Sequence, residues 1–347
     1  MTTAEREQRL MHATVDRPEP SRGLAAQWQR WGGDHPNFIS LATTAALLVG
    51  LVIIFYLINE RFLSWRNITI VLNQSASFVI LGVGMTFVIT TKGIDLSIGA
   101  IVALVGSVLG LMLVTWQWPL GVAVLAGLAL GAVCGAFNGY CVARWRVPPL
   151  IVTLGTMALF RGIAYVMLGH QILFSFPDEL LWLARGRIFG ISPTVYLAIL
   201  VTAWGWYFLN LTKTGQAMIA VGGNEEAARL AGINVGRVKF IAYTLMGALS
   251  ALATLVWVAR MNSVQAGMAY GIEFHAIALV VLGGTSLFGG RGLIMGSLMG
   301  AVILGVLENG LVIVGLGSFV QQVVLGLIFI TVVAFRTIQF REGQVTR

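Results

Sequence analysis

The chain has 347 residues, of which 57% are hydrophobic and only 10% charged, against about 25% charged in an ordinary soluble domain. So few charges cannot cover a water-facing surface, and the apolar runs reach the ~20 residues a bilayer crossing needs, which excludes a large soluble α/β protein. The net charge is +8, but the basic residues cluster at the ends of apolar runs and no basic helix is interleaved with aromatics, so they read as membrane orientation and not as a nucleic-acid surface.

Residues 1–38 are polar and mixed in charge, with Glu5, Arg6, Glu7, Arg9, Asp16, Arg17 and Glu19. No cleavable signal pattern is expected there, so the first apolar segment is expected to stay in the bilayer as an anchor. Ten apolar segments follow, at about 39–58, 68–91, 97–116, 119–142, 150–169, 192–210, 239–259, 272–288, 293–315 and 319–336. The expected fold is all-α and polytopic, with a membrane domain over 39–336 between cytoplasmic tails 1–38 and 337–347. The segment 272–288 is short and ends in glycines; it fits either a full span or a re-entrant half-helix covered by protein. Alternating the segments from a cytoplasmic N-terminus puts 16 basic residues inside and 5 outside, with Arg161 left within a segment. That asymmetry predicts both termini in the cytoplasm and supports the number of segments, since a miscount scrambles every loop after it.

Within the spans, the stretch Gly93 to Gly99 is echoed by Gly290 to Gly296, each opening a glycine-spaced apolar helix. Internal repeats of this kind occur in transporters. Cys134 and Cys141 are seven residues apart, about two helical turns, and are expected to pack and not to pair. His12, His35, His170 and His275 show no metal-ligand spacing.

Chemistry of its own is not in evidence along the chain. A phosphate-cradling loop needs G-x-x-x-x-G-K-[ST], and Lys92, Lys213 and Lys239, the only lysines, do not follow glycine. Neither a G-x-S-x-G elbow on a strand-to-helix turn nor H-E-x-x-H is present. The chain therefore reads as a non-enzyme, and any ATP that drives it is hydrolysed on another polypeptide. Charges inside the membrane segments are few: Asp95, Arg161, Glu273 and Glu308. An ion-coupled carrier usually pairs ionisable groups near mid-bilayer, so this set weakens that reading.

The informative segment is the loop at 211–239. Asn224 is a good N-cap, and Glu225 and Glu226 fall in the first turn, where carboxylates favour the helix dipole. Ala227, Ala228, Leu230 and Ala231 form helix readily, Arg229 lies near the negative end, and Gly232 is placed for a C-cap. A capped helix of about two turns is marginal in isolation; it fits either docking, its alanine face in a partner groove and Glu225 with Arg229 at the rim, or a surface helix that merely covers the bundle.

Together with that loop, three ordered stretches resemble permeases of bacterial ABC importers for monosaccharides, the ribose-permease type. Gly84-Met-Thr-Phe-Val-Ile-Thr-Thr-Lys-Gly-Ile-Asp-Leu-Ser-Ile-Gly99 is similar to that family's GMTFVI…GGIDLS-G signature. Val147-Pro-Pro-Leu-Ile-Val-Thr-Leu-Gly-Thr-Met157 with Arg161-Gly162 is similar to PPFIVTLGTM…RG. Gly283-Gly-Thr-Ser with Gly289-Gly-Arg-Gly292 is similar to its glycine-rich segment. The likeness covers roughly residues 60–335; Lys92 and Leu150 depart from it, standing where a small residue and Phe are usual.

The resemblance implies a transmembrane permease subunit in the bacterial cytoplasmic (inner) membrane. It would move a monosaccharide, a pentose such as ribose favoured, from periplasm to cytoplasm. Implied partners are a pair of ABC ATPase subunits, a periplasmic sugar-binding protein and a second permease subunit, identical or sister. ATP and Mg belong to the ATPases; no cofactor is implied on this chain. Gly223, Asn224, Glu225, Glu226, Arg229 and Gly232 would form the ATPase-docking loop. Asp95 with Ser97 fits either a cap on the third span or a polar latch in gating. Asn73, Gln74, Asn138, Thr153, Thr156, Arg161, Glu308 and Asn309 are polar groups at or within spans that fit either a sugar path or interhelical glue. The competing reading is an ion-coupled secondary sugar carrier, with Glu308 as the coupling residue.

Overall fold

The structure is a computed structural model that describes residues 36–317, 319–324, 326–327 and 331. The described residues from Ser40 onward belong to one compact unit, and Pro36–Ile39, the first turn of α1, fall in the other. The helices are α1 (Pro36–Ile58), α2 (Trp65–Thr90), α3 (Ile98–Gly110), α4 (Leu120–Arg144), α5 (Pro149–Leu168), α6 (Asp178–Arg185) and α7 (Pro193–Leu211). They continue with α8 (Lys213–Gly223), α9 (Glu225–Leu230), α10 (Val235–Met261), α11 (Ile272–Leu282) and α12 (Ile294–Ile313). A π-helical turn, Leu111–Thr115, extends α3. Two-residue strands β1 (Leu173–Phe174) and β2 (Ser263–Val264) pair antiparallel.

Eight of these helical stretches are long and apolar enough to cross a membrane, starting near residues 40, 65, 98, 120, 149, 193, 235 and 294. Their starts and ends fall within a few residues of the apolar segments. Half of the predicted last span, 319–336, and nearly all of both predicted tails lie outside the described residues.

Glycine sets the packing. On α4, Gly131, Gly135 and Gly139 form a stripe with a four-residue repeat against Phe240, Tyr243 and Gly247 of α10. A Cβ on Gly135 would overlap the Tyr243 carbonyl, and one on Gly247 the Gly131 carbonyl. Helix backbones meet this closely only where side chains are absent, and membrane helices gain much of their association from such contact. A second seam joins α11 to α12, with Gly296 on Gly283 and Gly300 on the Leu279 carbonyl. A smaller cluster of Phe55, Phe62, Val71, Val306, Leu307 and Leu311 ties α1 and α2 to α12. Cys134 and Cys141 are both free and buried.

The segment after α10 resolves an ambiguity of the sequence. α11 has 11 residues, about 16 Å of helix, roughly half the ~30 Å of hydrocarbon. Before it, the chain from Ser263 to Gly271 is not helical. This stretch descends along α3: Val264 lies against Gly110, Met268 against Gly106, and the Ala269 carbonyl against Gly99. After α11, Gly290 donates to the Thr90 carbonyl at the end of α2 (3.0 Å). The polypeptide thus makes one complete crossing from the end of α10 to the start of α12, first as irregular chain and then as a half-length helix. It is neither a continuous span nor a loop that returns to its own side. The alternation of sides along the chain is preserved.

Candidate functional site

The loop at 211–239 folds as α8 and α9. Asn224 ends α8 and begins α9; its side chain accepts from the Ala227 amide (3.0 Å). At the other end Gly232 takes a left-handed conformation (φ +82°). Its amide donates to the Arg229 carbonyl, and the Ile233 amide donates to the Ala228 carbonyl (3.0 Å each). Those two bonds make a Schellman close. Glu225 accepts from Lys239 (2.7 Å) and from Arg229 (3.3 Å), and Glu226 pairs with Arg229 (3.0 Å). The hydrogen bond from the Lys239 ammonium, reinforced by the charges of Lys239 and Arg229, holds the Glu225 carboxyl below the ordinary carboxylate range.

Ala228 is buried against the rest of the protein, whereas Leu230 is 82% exposed. The face left open to a partner therefore holds Gly223, Ala227, Ala231 and Gly232 beside one large apolar side chain, Leu230. By sequence Leu230 reads only as a helix former; its exposure follows from which side of a six-residue helix packs down. Lys239 was equally hidden, being fourteen residues from the carboxylate it meets.

Beneath the loop, Gly222 is wedged between the Thr90 carbonyl and the Gly290 amide. Lys92 reaches the Gly223 carbonyl (3.4 Å), and its stem covers Gly289. Lys92 is itself left-handed (φ +63°), closing α2 with the same bond pattern that Gly232 gives α9. The end of α8, from which α9 continues, thus rests on the end of α2 and the turn before α12.

The other candidate residues fall into separate groups. Asp95, Ser97 and Asn138 form one: Asp95 Oδ1 accepts from the Ser97 amide (2.9 Å) and hydroxyl (2.6 Å), and Asn138 donates to Ser97 Oγ (2.8 Å). All three are fully buried. Ser97, not Asp95, occupies the position before α3, and its side chain makes no capping bond, so Asp95 secures the turn leading into the helix. Asp95 Oδ2 and Asn138 Oδ1 are buried without a hydrogen-bond partner among the described residues. Thr153 donates to the neighbouring Ile94 carbonyl (3.3 Å), as does Tyr243 (3.3 Å), while Thr156 bonds within α5.

Gln74, Glu308 and His275 form the second group. Gln74 donates to one Glu308 oxygen, and His275 Nε2 lies 3.6 Å from the other. Phe78 stacks on the imidazole with centroids 5.9 Å apart. One residue further along α12, Asn309 accepts from Asn67 (2.9 Å). Asn73 is tied to the Ala184 carbonyl (3.0 Å) and to Thr194 (2.8 Å), anchoring α6 and α7.

Arg161 stands apart. It donates to the carbonyls of Ala266 and Met268 and lies 6.0 Å from the Tyr270 ring centre. Those carbonyls belong to the irregular half of the broken crossing, where no helix partner exists. A half-buried arginine there satisfies backbone groups that hydrocarbon cannot.

Among the described residues, eight apolar helices, a broken crossing between the last two of them and a capped helix seated on span ends define a polytopic α-helical membrane protein built like a transport subunit. Residues 67–333 match the family described as branched-chain amino acid transport system / permease component. The chain belongs to that family of permease components. It is 43% identical to the ribose import permease RbsC of Escherichia coli K12 over 292 residues, 83% of this chain and 90% of that one. It is 41% identical to the ribose import permease of Bacillus subtilis, covering 82% and 88% of the two chains. The fructose import permease FrcC of Rhizobium meliloti is 36% identical, over 83% of this chain and 82% of its own. No solved structure matches the chain.

Proposed function

We propose that this chain is the membrane-spanning subunit of an ATP-binding-cassette importer that carries a monosaccharide, with ribose favoured, across a bacterial inner membrane into the cytoplasm. The observation that carries this reading is the 43% identity to a ribose import permease along 83% of the chain. Substrate selection then rests largely with a periplasmic binding protein. ATP and Mg sit on a separate pair of ATPase subunits, because this sequence offers no phosphate-cradling loop. A second permease copy, identical or sister, completes the pair.

In this reading α9 is the contact with the ATPase. Leu230 enters an apolar groove, while Glu225, Glu226 and Arg229 stay at the wet rim, where ion pairs orient more than they bind. Closure of the ATPase pair displaces α8 and α9. Through Gly222 and Lys92 the displacement reaches α2 and the turn before α12. The sugar passes along the broken crossing, since interrupted helices near the bilayer midplane are where transporters place their sites. Asp95, Ser97 and Asn138 hold the start of α3 and act as the latch that changes partners during gating.

The test is reconstitution of the chain in liposomes with its cognate ATPase and binding protein. Uptake of ribose is expected to require all three and ATP. Leu230→Ala or the pair Glu225→Ala with Arg229→Ala is expected to cut uptake at least about tenfold, the scale of a lost interface anchor, with the protein still membrane-inserted. A competing reading, an ion-coupled carrier, draws on the Gln74–Glu308–His275 cluster inside the spans. Concentrative uptake by this chain alone under a proton or sodium gradient would establish that reading and overturn the importer.

A further inference from the structure

A groove of about 850 Å³ opens beside the loop, between the α4–α5 turn and the corner joining α9 to α10. Arg144 and Arg146 line one wall; Arg229, Lys239 and Glu225 line the other. The single lining carboxylate is already engaged by Lys239 and Arg229. Neither Arg144 nor Arg146 has an ion-pair partner among the described residues. Of its four cationic side chains, Arg229 and Lys239 are engaged by Glu225 and Glu226, so Arg144 and Arg146 supply the unpaired positive charge of the groove.

Its height in the membrane is marked by aromatic residues. Tyr140 and Trp145 stand edge-to-face with centroids 5.7 Å apart, both exposed, at the end of α4 that carries Arg144. Exposed Trp and Tyr at a span end sit at the level of lipid headgroups. The turn itself, Arg146-Val147-Pro148-Pro149, bends sharply, with Arg146 left-handed at φ +55°. Basic pockets between helices on the cytoplasmic side suit anionic headgroups, and a guanidinium fork matches phosphate oxygens in geometry.

We infer that this groove is a binding site for the phosphate headgroup of an anionic phospholipid, held by Arg144 and Arg146, with the Lys239–Glu225 pair forming the far wall. The lipid bridges the α4–α5 turn to the base of the loop helix. It reports the charge of the surrounding leaflet at the place where the loop meets the spans. The inference depends on the membrane placement of the chain and not on what it transports.

The test uses the full chain in nanodiscs made with cardiolipin and phosphatidylglycerol or with phosphatidylcholine alone, with bound lipid read by native mass spectrometry. The wild type is expected to retain one or more anionic lipids and no zwitterionic lipid in comparable amount. Arg144→Gln combined with Arg146→Asn removes the charge while keeping a residue that tolerates the left-handed turn. Anionic-lipid occupancy is expected to fall at least about fivefold in that variant, as loss of two charge-assisted contacts requires. Lysine at both positions is expected to restore part of it, and the melting temperature shows whether either variant stays folded. Inorganic phosphate and glycerol phosphate at millimolar concentration form a further arm: equal displacement by these soluble anions overturns the lipid assignment. Unchanged lipid occupancy in the double variant overturns it as well, and if that variant instead fails to bind the ATPase chain, the groove is a protein interface.

Discussion

Lys92 shows how one side chain can run against local preference. Its backbone is left-handed, a region that costs an ordinary L-residue roughly 1–2 kcal/mol and glycine nothing. The position ends α2, where glycine is the usual solution, and the family that this segment resembles has a small residue there. What the lysine gains is reach: its ammonium approaches the Gly223 carbonyl and its stem covers Gly289. Lys92→Gly is expected to raise the melting temperature of the detergent-solubilised protein, by a stability gain of about 1 kcal/mol, while loosening the loop from the span. A lower melting temperature would show that the contacts outweigh the strain. Arg161 is a similar case. Its charge looks functional in the sequence because a lone arginine in an apolar segment is costly; the carbonyls of Ala266 and Met268 that it satisfies lie more than a hundred residues away.

At the scale of elements, α9 carries its own stability in its caps. Six helical residues cannot hold a helix by propensity. Asn224 at one end and Gly232 at the other satisfy the groups that such a short helix leaves unpaired. Asn224→Ala is expected to cost about 1 kcal/mol locally. Amide exchange across residues 227–231 should then quicken about fivefold with the spans unaffected; equal exchange in mutant and wild type would show that α9 is held by packing instead. The pairs of Glu225 add a pH term. Because its carboxyl lies below the ordinary value of 4.5 when folded, its contribution is present above that value and lost as pH falls through the depressed one. The same exchange measurement should show α9 loosening only at pH below about 4.5. The effect should be small and salt-sensitive, since 41% of the Glu225 side chain is exposed.

For the whole molecule, the alternation of sides is the property to test. Basic residues predict the loop of α8 and α9 inside and the turn between α6 and α7 outside. Phe189 in that turn is 94% exposed and Leu230 is 82% exposed. Phe189→Cys in intact cells is expected to react with a membrane-impermeant maleimide, and Leu230→Cys only after the cells are opened. The native Cys134 and Cys141 are buried and should stay silent. Labelling of Leu230→Cys from outside would invert the topology. The broken crossing gives this test its weight, because had residues 262–282 returned to their starting side, every later loop would change sides.

Apolar runs of bilayer length and the capping residues of the 224–232 helix are local quantities, and sequence alone determined them. For that reason most span boundaries and both ends of α9 can be read from the order of residues. Family membership is legible for a related reason: ordered motifs such as that from Gly84 to Gly99 survive as strings. Tertiary structure decided what depends on distant partners. Gly283 and Gly284 cut α11 short where it meets α12, and α3 supplies the wall along which the irregular chain from Ser263 to Gly271 descends. Lys239 finds Glu225, His275 finds Glu308, and Leu230 is left facing outward only once Ala228 is packed. Hydrophobicity and capping act through neighbours in the chain, whereas a hydrogen bond to a bare carbonyl or a close glycine contact exists only when two segments are brought together.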